Sequence, residues 1–131
     1  MFQYQQHQQY FAQIASGFEE LATAELTRLG ATKISEAYRG LHFEADLETL
    51  YRINYTSRLI VRVLAPLITF DCHSDNYLYQ TAFKLDWSQF MTHTDTFAIH
   101  AVTSNTPSLT HSQYAALKVK DAICDFFRKK K

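Results

Sequence analysis

Cysteine, proline and glycine are all scarce in this chain of 131 residues, which has two, two and three of them. Cys72 and Cys124 lie far apart and have no flanking ligand pair. That excludes a disulfide framework and leaves a structural zinc site without its usual spacing, so both are read as reduced thiols. Gly17, Gly30 and Gly40 are too widely spaced to form the glycine-rich loop that cradles a nucleotide cofactor. No apolar run approaches the roughly 18 residues of a membrane span. The opening MFQYQQHQQY has neither the basic region nor the apolar core of a signal peptide, and a cytoplasmic protein is expected. Net charge is absent as well, with 13 basic against 13 acidic residues. The zero hides a gradient: residues 1–50 carry seven acids and three bases, and residues 51–131 six acids and ten bases. A polyanionic partner is therefore expected to meet the second half.

What is present is core material: 47 % of the residues are apolar and 15 % aromatic, enough for one domain or two small ones. The glutamine-rich residues 1–9 read as a polar tail, with a first strand from Tyr10 to Ala15. Ser16 stands three residues before Glu19, the spacing of a capping box, and Gly30 can close the helix between them in a left-handed conformation. On that helix Phe18, Leu21, Ala22, Leu26 and Leu29 share a face. Thr32 to Glu44 suits a hairpin turning at Arg39-Gly40, with Leu41 and Phe43 inward. Asp46 offers a cap for a second helix bearing Leu47, Leu50, Tyr51 and Tyr55, and Leu59 to Phe70 follows as a long strand with Pro66 at an edge or bulge. Strand, helix, two strands, helix, strand is the ferredoxin-like βαββαβ plan, assigned to residues 10–71.

A second unit over residues 72–131 is expected to open with Ser74 or Asp75 capping a helix through Lys84. Trp87 follows in a packed turn, and Thr96 to Thr103 alternates as a strand. A polar loop broken by Pro107 leads to a last helix whose stripe is Ala115, Val119, Ala122, Ile123 and Phe126. One strand and two helices make an unbalanced layer, so this α/β unit reads as truncated at its C-terminus.

The chemistry-bearing side chains gather on that last helix, SQYAALKVKDAICDFFRKKK. Lys118, Lys120, Arg128, Lys129 and Lys130 could contact phosphates, while Asn105, Ser112 and Gln113 border the helix start, where free amides and the helix dipole favour an anion. The bland alternative is that Lys118 pairs with Asp121 or Asp125 and the basic end is a solvated, frayed terminus. Arg52, Arg58 and Arg62 are read as fasteners between the two units, paired to acids such as Glu44 or Asp46, with phosphate binding the alternative. The six histidines have no ligand spacing, no metal site is expected, and Cys124 beside Asp125 reads as inert packing.

Three stretches carry a family likeness: GFEELATAELTRLG (Gly17 to Gly30), SRLIVRVL (Ser57 to Leu64) and SQYAALKVKDAICDFF (Ser112 to Phe127). From Tyr10 onward the chain resembles the ferredoxin-like domain and part of the THUMP domain, an RNA-binding module, of bacterial 23S rRNA guanine-N2 methyltransferases. The resemblance implies an α+β fold, 23S rRNA or a large-subunit precursor as partner, and S-adenosylmethionine in a downstream catalytic domain. These residues carry neither that domain nor its Asn/Asp-Pro-Pro-aromatic motif, so no catalytic residue or cofactor is expected here. A ferredoxin-like protein-interaction domain and the THUMP module of a tRNA-modifying enzyme are the alternative readings.

Overall fold

The computed structural model describes residues 2–102 and 112–129, Ser112 by its backbone alone. The chain divides into two compact units, Met1–Phe70 and Asp71–Lys131.

In the first unit the strands are β1 (Gln9–Ile14), β2 (Thr32–Ala37), β3 (Gly40–Glu44) and β4 (Ile60–Leu64), and the longer helices are α2 (Glu19–Leu29) and α3 (Leu47–Thr56). The strands form one antiparallel sheet in the order β2-β3-β1-β4. Alternation along β1 sends Tyr10, Ala12 and Ile14 to one face, where they meet Leu41 and Phe43 of β3, Ala22 and Leu26 of α2, and Ile53 of α3. Phe43, Leu26, Leu41 and Ile53 are fully buried, and each such side chain contributes roughly 1.5–3 kcal/mol of apolar burial. Both helices thus serve one face of the sheet.

Local signals placed several ends correctly. Gly30 closes α2 with φ +110°, its amide donating to the carbonyls of Leu26 and Thr27. Asp46 caps α3 by accepting from the Thr49 amide at 2.8 Å. The capping box does not form. The helix starts later, with Phe18 as its cap residue, so Ser16 lies too far upstream, and the Glu19 carboxylate instead accepts from the Gly17 amide at 3.0 Å. The α3 face is also rotated from the expected one. Thr49 and Ile53 are buried and Leu50 half-buried, whereas Leu47, Tyr51 and Tyr55 are exposed, Tyr55 at 91 %.

The expected polar tail is ordered. Residues Gln3–His7 form a short helix, α1, and Phe2 before it is only 4 % exposed. Two of the orphan amides at the start of α1, those of Gln3 and Tyr4, donate to the carbonyls of Leu67 and Pro66, each at 2.9 Å. The chain after Leu64 is occupied with these bonds rather than with a ladder, so the long strand expected to Phe70 stops at Leu64 and Pro66 lies beyond it.

The hairpin turns through Tyr38 and Arg39, and Gly40 is the first residue of β3, paired with Ala37. Its lack of a side chain is required by the sheet surface: a Cβ there would fall inside the Phe11 ring, which lies over it from β1. The ladder between β1 and β4 shifts after Gln13, so that Gln13 faces Arg62 and Ile14 faces Ile60. Val61 is the extra residue of this bulge and is exposed.

In the second unit α4 (Asp75–Lys84) is capped by Ser74, whose hydroxyl accepts from the Tyr77 amide at 3.1 Å. A turn of 3-10 helix, Trp87–Gln89, buries Trp87, whose indole N–H donates to the Ala82 carbonyl at 2.8 Å. Then α5 (Ser112–Lys129) buries Ala115, Ala122, Ile123 and Phe126. Of the strand expected at 96–103, the described residues 96–102 do not form one. Alternation survives, with Phe97 and Ile99 half-buried and Ala98 and His100 exposed, but no described strand pairs with them. Alternating side chains set a face; a ladder also needs a neighbour.

Candidate nucleic-acid interface

Helix α5 owes its position to α4. The Tyr114 hydroxyl donates to Asp75 at 2.9 Å, the Lys118 ammonium stands 4.0 Å from the same carboxylate, and the Tyr79 hydroxyl donates to Asp125. The Lys129 ammonium lies 4.8 Å over the Phe83 ring. Successive residues of α4 thus meet successive residues of α5, and the two helices run in the same direction. The Tyr114 hydrogen bond, with the Asn76 amide and Lys118 charge behind it, holds the Asp75 carboxyl below its ordinary pKa. The Asp125 carboxylate, which favours the protonated phenol, pushes Tyr79 up.

The candidate residues fall into distinct groups. Gln113 and Lys120 share a shallow groove of about 260 Å3 with Phe97, Ile99, Ala116 and Leu117. Lys120 is half exposed, with the Asp121 carboxylate 3.8 Å away. Lys118 is held by Asp75, not by the Asp121 or Asp125 of the bland alternative, and lies 5.4 Å from the Tyr114 ring. Arg128 does pair with Asp125, at 3.2 Å, and borders a second recess of about 210 Å3 with His93, Phe97 and Cys124. Asn105 and Lys130, together with the side chain of Ser112, lie outside the described residues.

The arginine pairings differ from expectation. Arg52 donates to Glu48 and to the Leu29 carbonyl, both at 3.1 Å, which ties α3 to the end of α2. Glu44 is instead taken by Lys33, and Asp46 by its capping role. The exposed Arg58 and Arg62 side chains make no ion pair among the described residues. A residue that spacing did not single out, Glu25, is buried with its carboxylate accepting from the Ser57 hydroxyl and the Arg58 and Leu59 amides. It locks α2 onto the link between α3 and β4. Among the described residues no three His, Cys, Asp or Glu side chains gather where a metal could sit, and no helix is long and apolar enough to cross a membrane.

A ferredoxin-like sheet followed by a helical unit with a basic last helix defines a class. Residues 9–64 match the RlmL ferredoxin-like domain and residues 72–131 the THUMP domain, and the chain belongs to the proteins that join these two. More particularly, the relatives it resembles over most of its length include proteins named ribosomal RNA large subunit methyltransferase K/L. It is 40 % identical over 121 residues to ribosomal RNA large subunit methyltransferase K/L of Syntrophotalea carbinolica, covering 92 % of this chain and 17 % of that protein. It is 38 % identical to the enzyme of the same name from Shewanella sp., covering 91 % and 16 %. A Synechocystis sp. protein named as an RNA methyltransferase is 42 % identical over 116 residues, which are 88 % of this chain and 30 % of that one. The chain thus spans less than a third of the curated relatives it matches. The fold recurs in a solved Listeria monocytogenes protein described as an N6-adenine-specific DNA methylase, with TM-score 0.81 and 24 % identity over 93 % of this chain and 32 % of that one. It recurs also in a protein described as a methyltransferase and solved with SAH, with TM-score 0.80 and 21 % identity over 93 % and 32 %. The two matched domains leave no stretch of these 131 residues for a methyltransferase domain.

Proposed function

We infer that this chain is the RNA-docking module of a cytoplasmic S-adenosylmethionine-dependent methyltransferase acting on a guanine N2 of 23S rRNA. The observation that carries the reading is the pair of domain matches, joined to the likeness with relatives named for large-subunit ribosomal RNA. The groove joining Gln113 to Lys120 supplies the chemistry: an amide for a 2′-hydroxyl or base edge, and an ammonium for the adjacent phosphate. S-adenosylmethionine does not fit these residues, which offer no glycine-rich turn, and it is assigned to a separate catalytic domain. Docking here raises the effective concentration of the target base at that domain.

The test is binding of the chain to a large-subunit rRNA fragment at two salt concentrations, with Lys120→Glu and Gln113→Ala alongside. Affinity should fall with salt, and Lys120→Glu should weaken binding and lower the log-log salt slope by about one. Absence of binding, or binding indifferent to salt and to Lys120, overturns the reading.

A further inference from the structure

The face of the β-sheet turned away from α2 and α3 has a composition that core packing does not explain. Register sets two rows across it. One row is Ser35, His42, Phe11 and Leu64; the next is Ala37, Gly40, Gln13 and Arg62. Phe11, at the centre, lies across Gly40, with the His42 ring edge-on to it and the centroids 4.9 Å apart. A face meant only for water would be polar here. Instead a half-buried phenyl ring is laid down on a glycine, with an exposed imidazole against it.

Within these two rows the charge is of one sign. The β4 bulge returns Ile60 and Val63 to the core side and sets Arg62 opposite Gln13, beside the aromatic pair. Arg62 is exposed, Arg39 at the hairpin end lies 5.3 Å from its neighbouring Tyr38 ring, and neither makes an ion pair among the described residues. Neither row contains a carboxylate. Glu44, in the row beyond, is already held by Lys33 at 3.4 Å and by the Gln9 amide at 3.4 Å. Bulges commonly re-aim a side chain beside a functional surface.

We propose that this sheet face binds unpaired RNA, with one base stacked on Phe11 and His42, the adjoining phosphate on Arg62, and Gln13 at a base edge. The occupant needs a flat π-face and a negative charge about one nucleotide apart. Single-stranded RNA supplies both, whereas a duplex keeps its bases stacked inward. Four-stranded sheets with aromatic side chains on their surface stack two or three bases in other RNA-binding modules, and stacking tolerates any base because each has a π-face. The proposal rests on the RNA-binding reading but uses a surface separate from α5. It gives the chain two kinds of contact: the α5 groove for folded RNA and the sheet for a splayed nucleotide.

The test is NMR titration of the full chain with a fluorescein-labelled single-stranded RNA of about eight nucleotides, with the same sequence annealed to its complement as control. Fluorescence anisotropy supplies affinities. Single strand should shift the amides of Phe11, His42 and Arg62, and the duplex should not. His42→Ala and Arg62→Ala, both at exposed positions, and Phe11→Leu, which keeps Gly40 covered without a ring to stack on, should each retain the wild-type spectrum elsewhere. Phe11→Leu should weaken single-strand binding by about tenfold to a hundredfold. Shifts confined to α5, or equal affinity in all three folded variants, overturn this proposal while leaving the docking role intact. No RNA binding by either surface overturns both. Shifts on the sheet that follow protein concentration, with or without RNA, assign the face to a second copy of the chain and also overturn it.

Discussion

Replacing Glu25 with alanine should cost the first unit about 3–5 kcal/mol, and the cost should depend on pH. The Glu25 side chain is 7 % exposed and accepts three hydrogen bonds, from the Ser57 hydroxyl, from the Arg58 amide at 3.1 Å and from the Leu59 amide at 3.4 Å. Hydrogen bonds to a charged group contribute roughly 1.5–3 kcal/mol each, and a buried donor left without a partner costs roughly 1–3 kcal/mol. The three share one carboxylate and do not add in full, and Ser57 keeps a use for its oxygen as acceptor from the Ile60 amide at 3.2 Å. Glutamine retains one acceptor oxygen and should cost about half as much. The pH term has a definite sign. Burial by itself would raise the Glu25 pKa, but the Ser57 hydroxyl, the Arg58 and Leu59 amides and the Arg28 charge outweigh it and leave the folded value below the ordinary one. Such a group stabilises fully above its unfolded pKa, about 4.3, and the contribution is lost as pH falls through the folded value. The gap between wild type and Glu25→Gln should therefore be constant from neutrality down to about pH 5 and shrink below it. Urea unfolding read from NMR amides of β1 and α2 reports this unit, while the single tryptophan, Trp87, reports the second. A Glu25→Ala midpoint equal to wild type, or a glutamine gap that persists undiminished into strong acid, would refute the reasoning.

Gly40→Ala should destabilise the first unit by about 1–3 kcal/mol, because the new methyl enters the Phe11 ring. In a Phe11→Ala background the same change should cost much less, and a double-mutant cycle in urea showing no coupling would sink the explanation. Trp87→Phe removes the indole donor to the Ala82 carbonyl. It should lower the stability of the second unit by about 1–3 kcal/mol in thermal melts followed by circular dichroism, and an unchanged melt would contradict that role.

The elements legible in the sequence are those fixed by neighbours along the chain. Asp46 reaches Thr49, Ser74 reaches Tyr77 and Gly30 reaches back to Leu26, all within one helical turn. What was not legible depends on distant partners. Beyond Met1, Phe2 and Tyr4 the start is glutamine-rich and polar, and the first amides of α1 find their carbonyls at Pro66 and Leu67. Helix α3 offers two stripes of equal periodicity. The expected stripe, Leu47, Leu50, Tyr51 and Tyr55, is buried only in part: Thr49 packs where Gly30 ends α2, and Leu50 and Ile53 turn inward. The last helix was recognisable from its stripe and lysines. The partner of Lys118, however, is Asp75 on another helix, which no helical spacing could supply.

The partnered state of α5 has a consequence for selectivity. Lys118 and Arg128 already hold carboxylates, and Lys129 rests on an aromatic ring. A phosphate approaching Lys118 or Arg128 gains only the difference between a new ion pair and one that exists, and exposed pairs differ by roughly a kcal/mol or less. If α5 is the docking surface proposed above, Asp75 and Asp125 are internal competitors that would blunt adhesion to arbitrary polyanions. An RNA that displaces them has to return the loss through shape, so the helix rewards a fitted surface and gives little to an abundant one.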